Sequence, residues 1–366
     1  MRVLIIIDGL PGGGAEKVVL TLCKGLQSAD TDVTLISLRD VCQYPIPDNV
    51  TYKVVADTSR SPWRKLTELS RRAKQLDQAI DECEKEQGKF DLILSNLHKT
   101  DRIVMKSHIY DSERLWFCIH GILSTTYLGH RKGFDRWNKR RKMAAVYNNK
   151  NVVTVSEAVG FDLKNNIQAT IRKLEVINNP FNIAEIEALA DEPCDMAGQD
   201  YLVHVGRFHV QKRHDRLLEA YAQTNLQTPL MLIGTGTDDY INKIKKLASN
   251  LNIADRVIFA GFKANPFRYI KHAQQLILSS DSEGFGNVLV ESLICGTPVV
   301  STACPGGPVE ILEKTGMERG LAEVNAESLS RKILEVYSNP PEIHKEKLDV
   351  YGIDYICHKY KALVNK

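Results

Sequence analysis

The stretch Ser279-Ser-Asp-Ser-Glu-Gly-Phe-Gly-Asn-Val-Leu-Val-Glu-Ser-Leu-Ile-Cys-Gly-Thr-Pro298 follows the apolar run Gln275 to Leu278. The apolar run reads as a buried strand, the Ser/Asp/Gly segment as a loop, and Asn287 to Cys295 as a helix that Gly296 and Pro298 end. Gly284 and Gly286 remove Cβ atoms where a ligand approaches the backbone, and the helix opening at Asn287 turns a positive dipole end toward an anion. Glu283 stands just before that helix and Glu291 one turn inside it. Carboxylates hold hydroxyls and helix amides hold phosphates, a combination that suits a sugar nucleotide. A lone Glu-x7-Glu fits a helix-capping loop with a solvated glutamate equally well. The next Gly/Pro-rich loop, Ser301 to Glu310, is aimed at the same strand edge and favours the ligand.

Outward from this unit the chain alternates strands and helices almost throughout. Strands are expected at 2–7, 33–38, 51–55, 91–95, 115–119 and 152–155, with helices at 14–26 and, from Pro62, to Glu86. After the breaker Val176-Ile-Asn-Asn-Pro-Phe-Asn182 the pattern restarts, with strands at 201–205, 230–233, 257–259, 275–278 and 299–301, and helices near 213–222 and 239–250. Short apolar strands separated by helices mean parallel sheets covered on both faces. Two domains are therefore expected, residues 1–178 and 179–349, consistent with a 366-residue chain that is 43% hydrophobic and 25% charged.

No apolar run approaches a membrane span and no leader pattern opens the chain, so a cytoplasmic protein is expected. The 8 cysteines show no paired spacing and read as reduced thiols. Net charge is +3, but residues 1–180 carry 28 Lys+Arg against 21 Asp+Glu, whereas residues 181–366 carry 20 against 24. The N-terminal half thus has reason to meet an anion.

Asp8-Gly-Leu-Pro-Gly-Gly-Gly-Ala-Glu-Lys17 is a glycine-rich turn opening a helix, yet it is neither Gly-x-Gly-x-x-Gly nor a P-loop. His120 follows a strand at the edge where such sheets bind ligands, and Asn96 and His98 end the preceding strand. The run from His130 to Lys142 holds seven Lys/Arg and one Asp, interleaved with Phe134 and Trp137. Arg136, Lys139 and Arg140 share one helical face beside Arg131 and Lys132. A solvated face, a nucleic-acid patch and an anionic lipid surface all fit this run; an enzyme with a lipid-linked acceptor would favour lipid or a lipid-linked diphosphate over nucleic acid. Arg64, Lys65, Arg71, Arg72 and Lys74 are expected on the same side. Gly206-Arg-Phe-His-Val-Gln-Lys-Arg213 leaves a strand with Arg207 and Lys212 placed to close on a diphosphate. His204, His209 and His214 do not share a helix face and no acid completes a set, and Asp30-Thr-Asp32 precedes its strand, so no metal site is expected.

Glu283 to Glu291, with Gly296-Thr-Pro298 and Gly306-Gly-Pro-Val-Glu310 behind it, resembles the C-terminal signature of retaining glycosyltransferases of family 4. The resemblance spans nearly the whole chain. It implies a GT-B fold: two Rossmann-like parallel-sheet domains facing a central cleft, with the final helix, about 350–366, crossing back to the N-terminal domain. It further implies that Gly13 and Gly14 let the first loop close over the donor diphosphate, and that Gly206, Arg207 and Lys212 serve the donor phosphates. Gly234 and Phe262 would lie near the nucleotide, and Gly284, Phe285, Gly286 and Asn287 would form the donor loop. Glu291 would hold the ribose, Glu283 the transferred sugar, and His120 that sugar or its oxocarbenium centre. The family often has Lys-Gly where this chain has Lys212-Arg213, which bears on the tightness of that loop.

The resemblance implies metal-independent, retaining transfer, without a cofactor, of a hexose or N-acetylhexosamine. The donor would be a nucleotide sugar, with UDP expected, and the acceptor a lipid-linked or lipopolysaccharide glycan at the inner face of the cytoplasmic membrane. A sugar-nucleotide epimerase of the same architecture and a GDP-mannose-type mannosyltransferase are the alternatives. A nicotinamide dehydrogenase fails on the glycines.

Overall fold

The computed structural model describes residues 1–59 and 64–366. The expected start of the second helix, Pro62, lies outside the described residues; that helix runs Arg64–Gln87. The chain divides into two compact units, Met1–Pro180 with Ile353–Lys366, and Phe181–Gly352.

The first unit holds strands β1 (Arg2–Ile7), β2 (Asp32–Ser37), β3 (Thr51–Val54), β4 (Leu92–Asn96), β5 (Leu115–Ile119), β6 (Asn151–Thr154) and β7 (Lys173–Val176). All pair in parallel, in the order β3-β2-β1-β4-β5-β6-β7. Continuous apolar runs such as Val3 to Ile7 are fully buried because helices cover both faces of the sheet. The C-terminal helix Ile353–Lys361 packs here, its Ile356, Cys357 and Tyr360 joining the core formed by Val19, Leu20, Cys23 and Leu26. Gly25 permits this approach: a Cβ on it would lie 2.4 Å from Ile353 Cγ1.

The second unit holds β8 (Leu202–Val205), β9 (Leu230–Ile233), β10 (Val257–Gly261), β11 (Gln275–Leu278), β12 (Val299–Thr302) and β13 (Leu321–Ala322). They are parallel in the order β10-β9-β8-β11-β12-β13. Both sheets reverse their strand order once, between β1 and β4 and between β8 and β11. Such a reversal opens a crevice beyond the carboxyl ends of the two strands.

Strand ends fall within one or two residues of expectation. The sequence pattern missed β13, which has two residues, the short helices His98–Val104, Leu123–Leu128, Ile183–Ala190 and Phe267–His272, and the 13-residue helix Ala326–Ser338. The Ser301 to Glu310 segment is also shorter as a loop than expected, because Pro308 starts the helix Gly307–Thr315 and Glu310 stands in its first turn.

Two cations expected on an exposed basic side are spent internally. Arg72 is 3% exposed, donating to Leu38 O at 2.7 Å and pairing with Asp8 at 3.2 Å. Arg71 forms a two-pronged pair with Asp57, and its Nε lies 2.8 Å from Oδ1. A guanidinium on a helix face that packs onto a sheet edge meets acceptors before it meets solvent.

Candidate active site

At the reversal in the second unit, β8 runs into Gly206 and the turn Val210–Lys212, and β11 into the Ser/Asp/Gly loop. The two loops are sewn together. Asp281 N donates to Gln211 O at 2.9 Å, Gln211 Nε2 donates to Ser282 O at 2.8 Å, and Ser279 Oγ donates to Lys212 O at 2.8 Å. On this frame Lys212 Nζ lies 2.6 Å from Glu283 Oε1, which also accepts from Ser280 Oγ. The cation expected at phosphates and the carboxylate expected at the sugar thus form one pair, half-buried on the lysine side and 12% exposed on the glutamate side. Arg207 is exposed and makes no hydrogen bond or ion pair among the described residues.

The replacement of Gly by Arg213 does not loosen the loop. Arg213 itself takes the left-handed conformation, φ 51°, which costs a non-glycine residue about 1 kcal/mol. Its guanidinium is held by Asp215 at 3.0 Å and Asp281 at 3.1 Å. Arg216, 6% exposed, reaches the same Asp281 at 2.6 Å and donates to Ser279 O at 2.9 Å. Asp281, Gln211 and Arg216 are the residues that sequence reasoning missed; an arginine inside the apolar stripe of helix His214–Thr224 was the available signal.

The glycines divide by physical cause. A Cβ on Gly306 would lie 1.7 Å from Glu283 O, and one on Gly234 would lie 1.9 Å from Gly206 O, so these residues let loop backbones touch. Gly286 caps helix Asn287–Ile294 at φ 96°. In the first unit the left-handed residue is Gly12, φ 98°, while a Cβ on Gly14 would meet nothing within 4 Å. Gly13 is the N-cap of helix Gly14–Leu26. Phe262 is 73% exposed and Phe285 is buried.

His120 lies just past β5, and its Nε2 is 2.9 Å from Asn96 Oδ1. The Asn96 amide nitrogen faces Leu94 O at 3.2 Å and Ile6 O at 3.4 Å, so Oδ1 is the atom turned to the imidazole. His120 Nε2–H therefore donates, and Nδ1 is left as an enclosed lone pair without a partner among the described residues. Burial lowers the His120 pKa to about 4, which keeps the ring neutral.

In helix Gly133–Tyr147, Phe134 is 77% and Trp137 44% exposed, their rings stacked at 5.4 Å. Arg131 pairs with Asp135 at 2.6 Å, Arg136 donates to Leu128 O at 2.6 Å, and Lys139 Nζ lies 5.3 Å from the Tyr127 ring centre. Lys132 and Arg140 are exposed and half-buried respectively. A depression of about 410 Å³ is lined by Gly133, Arg136, Trp137, Arg140, Asn165 and Asn166. His204 and His214 are buried with ring centres 4.8 Å apart, and His209 is exposed. Among the described residues no group of three or more His, Cys, Asp or Glu could hold a metal ion, and no helix is long and apolar enough to cross a membrane.

Two parallel sheets, each with a single reversal of strand order, define a GT-B architecture. Solved structures agree: HepE of Anabaena in complex with UDP is 21% identical at TM-score 0.71, covering 100% of this chain and 97% of that one. Sucrose-phosphate synthase of Thermosynechococcus elongatus is 19% identical at TM-score 0.75, covering 100% and 98%. Residues 12–185 match the family described as Glycosyltransferase Family 4, and residues 195–353 match Glycosyl transferases group 1. The chain belongs to the family 4 glycosyltransferases and is a glycosyltransferase. It is 26% identical to N-acetylgalactosamine-N,N'-diacetylbacillosaminyl-diphospho-undecaprenol 4-alpha-N-acetylgalactosaminyltransferase of Campylobacter jejuni, over 97% of this chain and 98% of that protein.

Proposed function

We propose that the enzyme transfers a hexose or N-acetylhexosamine from a UDP-sugar, with retention and without a metal, to a lipid-linked or lipopolysaccharide glycan in the assembly of a bacterial surface polysaccharide. The observation that carries this reading is the Lys212–Glu283 pair, 2.6 Å apart on two interlocked loops at the strand-order reversal of one sheet. Departure of a nucleoside diphosphate builds negative charge, and Lys212, the exposed Arg207 guanidinium and the amino end of helix Asn287–Ile294 supply the opposite sign. Glu283 accepts hydroxyls of the transferred sugar and Glu291 those of the ribose. His120, held neutral just past β5, contacts the transferred sugar or its developing oxocarbenium centre. The Campylobacter relative is named for a diphospho-undecaprenol acceptor and the Anabaena structure contains UDP, which support the acceptor class and the nucleotide.

The exposed Phe134–Trp137 stack beside Arg136 and Arg140 suits a peripheral attachment to an anionic membrane, aromatics at headgroup depth and cations at phosphates. Electrophoretic and vesicle-flotation behaviour would differ accordingly between neutral and anionic vesicles.

The test is transfer from UDP-hexoses and UDP-N-acetylhexosamines, in EDTA, onto farnesyl-diphosphate-linked N-acetylglucosamine, with the product's anomeric configuration read by NMR. An α-linked product from an α-linked donor, formed in EDTA, is the expected result. Conversion of the donor into its epimer without acceptor, or inversion, overturns the reading.

His120 gives a second check. A neutral imidazole is active above its pKa and fails as pH falls through it, so kcat/KM should stay level from pH 8 to about 5.5 and its acid limb should lie near 4. An acid limb centred near 6.5, absent in His120→Gln, would show a histidine of ordinary basicity instead.

A further inference from the structure

Beside His120 lies a buried polar chain that the donor chemistry does not use. Leu97, between Asn96 and His98, adopts φ 75°, a costly conformation for a leucine, and it sends His98 off the end of β4 into helix His98–Val104. Asn96 pairs with Cys118 in the sheet register, so His98 and His120 each stand two residues beyond the same rung. Ser95 Oγ lies 2.6 Å from Asp101 Oδ1, Tyr147 OH donates to Asp101 Oδ2 at 2.8 Å, and His98 Nδ1 lies 2.8 Å from Tyr147 OH. Asp101, Tyr147 and Ser95 are fully buried, and His98 is 7% exposed.

Proton accounting along the chain ties the imidazole tautomer to the position of the Asp101 proton. Tyr147 has one proton, and while it goes to Asp101 its oxygen accepts from His98 Nδ1–H. Nε2 is then a bare lone pair. It makes no hydrogen bond to any described residue, yet unlike His120 Nδ1 it is not sealed from solvent. Burial, with Lys139 and Arg102, lowers the His98 pKa to about 4 and keeps the ring neutral. Burial also raises the Asp101 carboxyl to about 8, so at neutral pH a proton sits on it; placed toward Ser95, it leaves the order of the chain unchanged. Placed toward Tyr147, it would reverse the His98 tautomer, and this is the arrangement the experiment excludes or finds.

Next to the imidazole the charge is positive. His98 lies 5.0 Å from the Tyr127 ring, on which Lys139 rests, and Arg102 and Arg131 act on the same lysine. A ligand reaching Nε2 must donate a hydrogen bond there and carry negative charge nearby. A sugar bearing a phosphate ester has both.

Resting on the transferase reading above, we infer that His98 Nε2 accepts a hydroxyl of the phosphate-linked glycan acceptor, in a tautomer set by the Asp101–Tyr147 chain. His98 is thus an acceptor-recognition residue, and Tyr147 and Asp101 position it.

The experiment is NMR of the full-length protein labelled with 15N-histidine, the His98 signals being assigned from His98→Gln. In the unliganded wild type, Nδ1 should appear protonated and Nε2 bare; Tyr147→Phe, which keeps the ring packing, should shift the balance toward Nε2–H, a change that a merely structural role would not produce. Adding farnesyl-diphosphate-linked N-acetylglucosamine should move the Nε2 signal in the direction of hydrogen-bond acceptance, while inorganic pyrophosphate should leave it in place. His98→Gln should raise the KM for that acceptor about tenfold, with a smaller change in kcat.

A protonated Nε2 in the wild type overturns the proposal. So does an unmoved Nε2 when the glycolipid is bound, or an unchanged acceptor KM. A glycolipid that fails to bind overturns the assigned ligand class; if the wild type then transfers sugar to another acceptor, the transferase reading survives. Failure to transfer any sugar while Nε2 still answers the glycolipid would sink the transferase reading alone.

Discussion

Lys212→Ala should lower kcat/KM for sugar transfer by about a hundredfold or more, with a change in thermal stability of only a few degrees. The lysine is the cation closest to the carboxylate at the strand-order reversal, and loss of one preorganised charge at a departing diphosphate removes about 2.7–4 kcal/mol of transition-state stabilisation. Stability depends less on it, because the loops are also joined by Gln211, Arg213 and Arg216. Glu283→Gln should lose activity to a similar degree, and the double variant Lys212→Ala/Glu283→Gln should lose much less than the product of the two, since the paired groups act as a unit. Steady-state kinetics with the donor varied, alongside thermal melts of all four proteins, check this. Additive losses would mean that the two side chains serve separate steps.

Gly306→Ala should destabilise the second unit by about 3 kcal/mol or more, roughly 6–12 °C in Tm, and abolish activity with it. Two costs combine. The residue sits at φ 126°, and its Cβ would occupy a point 1.7 Å from the carbonyl oxygen of Glu283, a backbone atom that cannot rotate away. Glu283 N is itself tied to Pro305 O at 2.9 Å, so yielding at one loop displaces Glu283 in the other. Gly14→Ala is the contrasting case: nothing lies within 4 Å of the new methyl group, so its melt should match the wild type. A rise in donor KM in Gly14→Ala would then report on a ligand approaching that backbone. Melting curves and donor kinetics on both variants separate a glycine required by the protein from one required by a ligand.

That distinction marks where the sequence was legible. The strand, loop and helix around Glu283 could be read because apolar runs of strand length and Gly/Pro breakers are local signals. The alternation of such units placed two parallel sheets, and the residues past the strand ends could be singled out because parallel sheets bind ligands there. Contacts between loops distant in sequence were not legible. Nothing in the spacing announces that Gly234 touches Gly206, or that Gly306 touches Glu283. Gly13 and Gly14 drew attention as the glycine pair, while the left-handed turn falls on Gly12, since conformation at adjacent glycines is decided by the partners of the flanking residues.

Charge was the least legible property. Arg71 and Arg72 read as surface cations but are paired with Asp57 and Asp8, and Asp281 read as a turn residue although two arginines clamp it. Arg213 shows the same limit from the other side. A glycine's absence left the tightness of that loop open, and two carboxylates hold the arginine in the left-handed conformation that a glycine adopts readily.

The most direct measurement is calorimetric titration of UDP-glucose, UDP-galactose and their N-acetylated counterparts into the wild type and into Lys212→Ala, all in EDTA. At least one UDP-sugar should bind the wild type in EDTA and bind Lys212→Ala at least tenfold more weakly. Absence of binding by every UDP-sugar, or equal affinity for the two proteins, would contradict the assignment of the Lys212–Glu283 pair to a nucleotide-sugar donor.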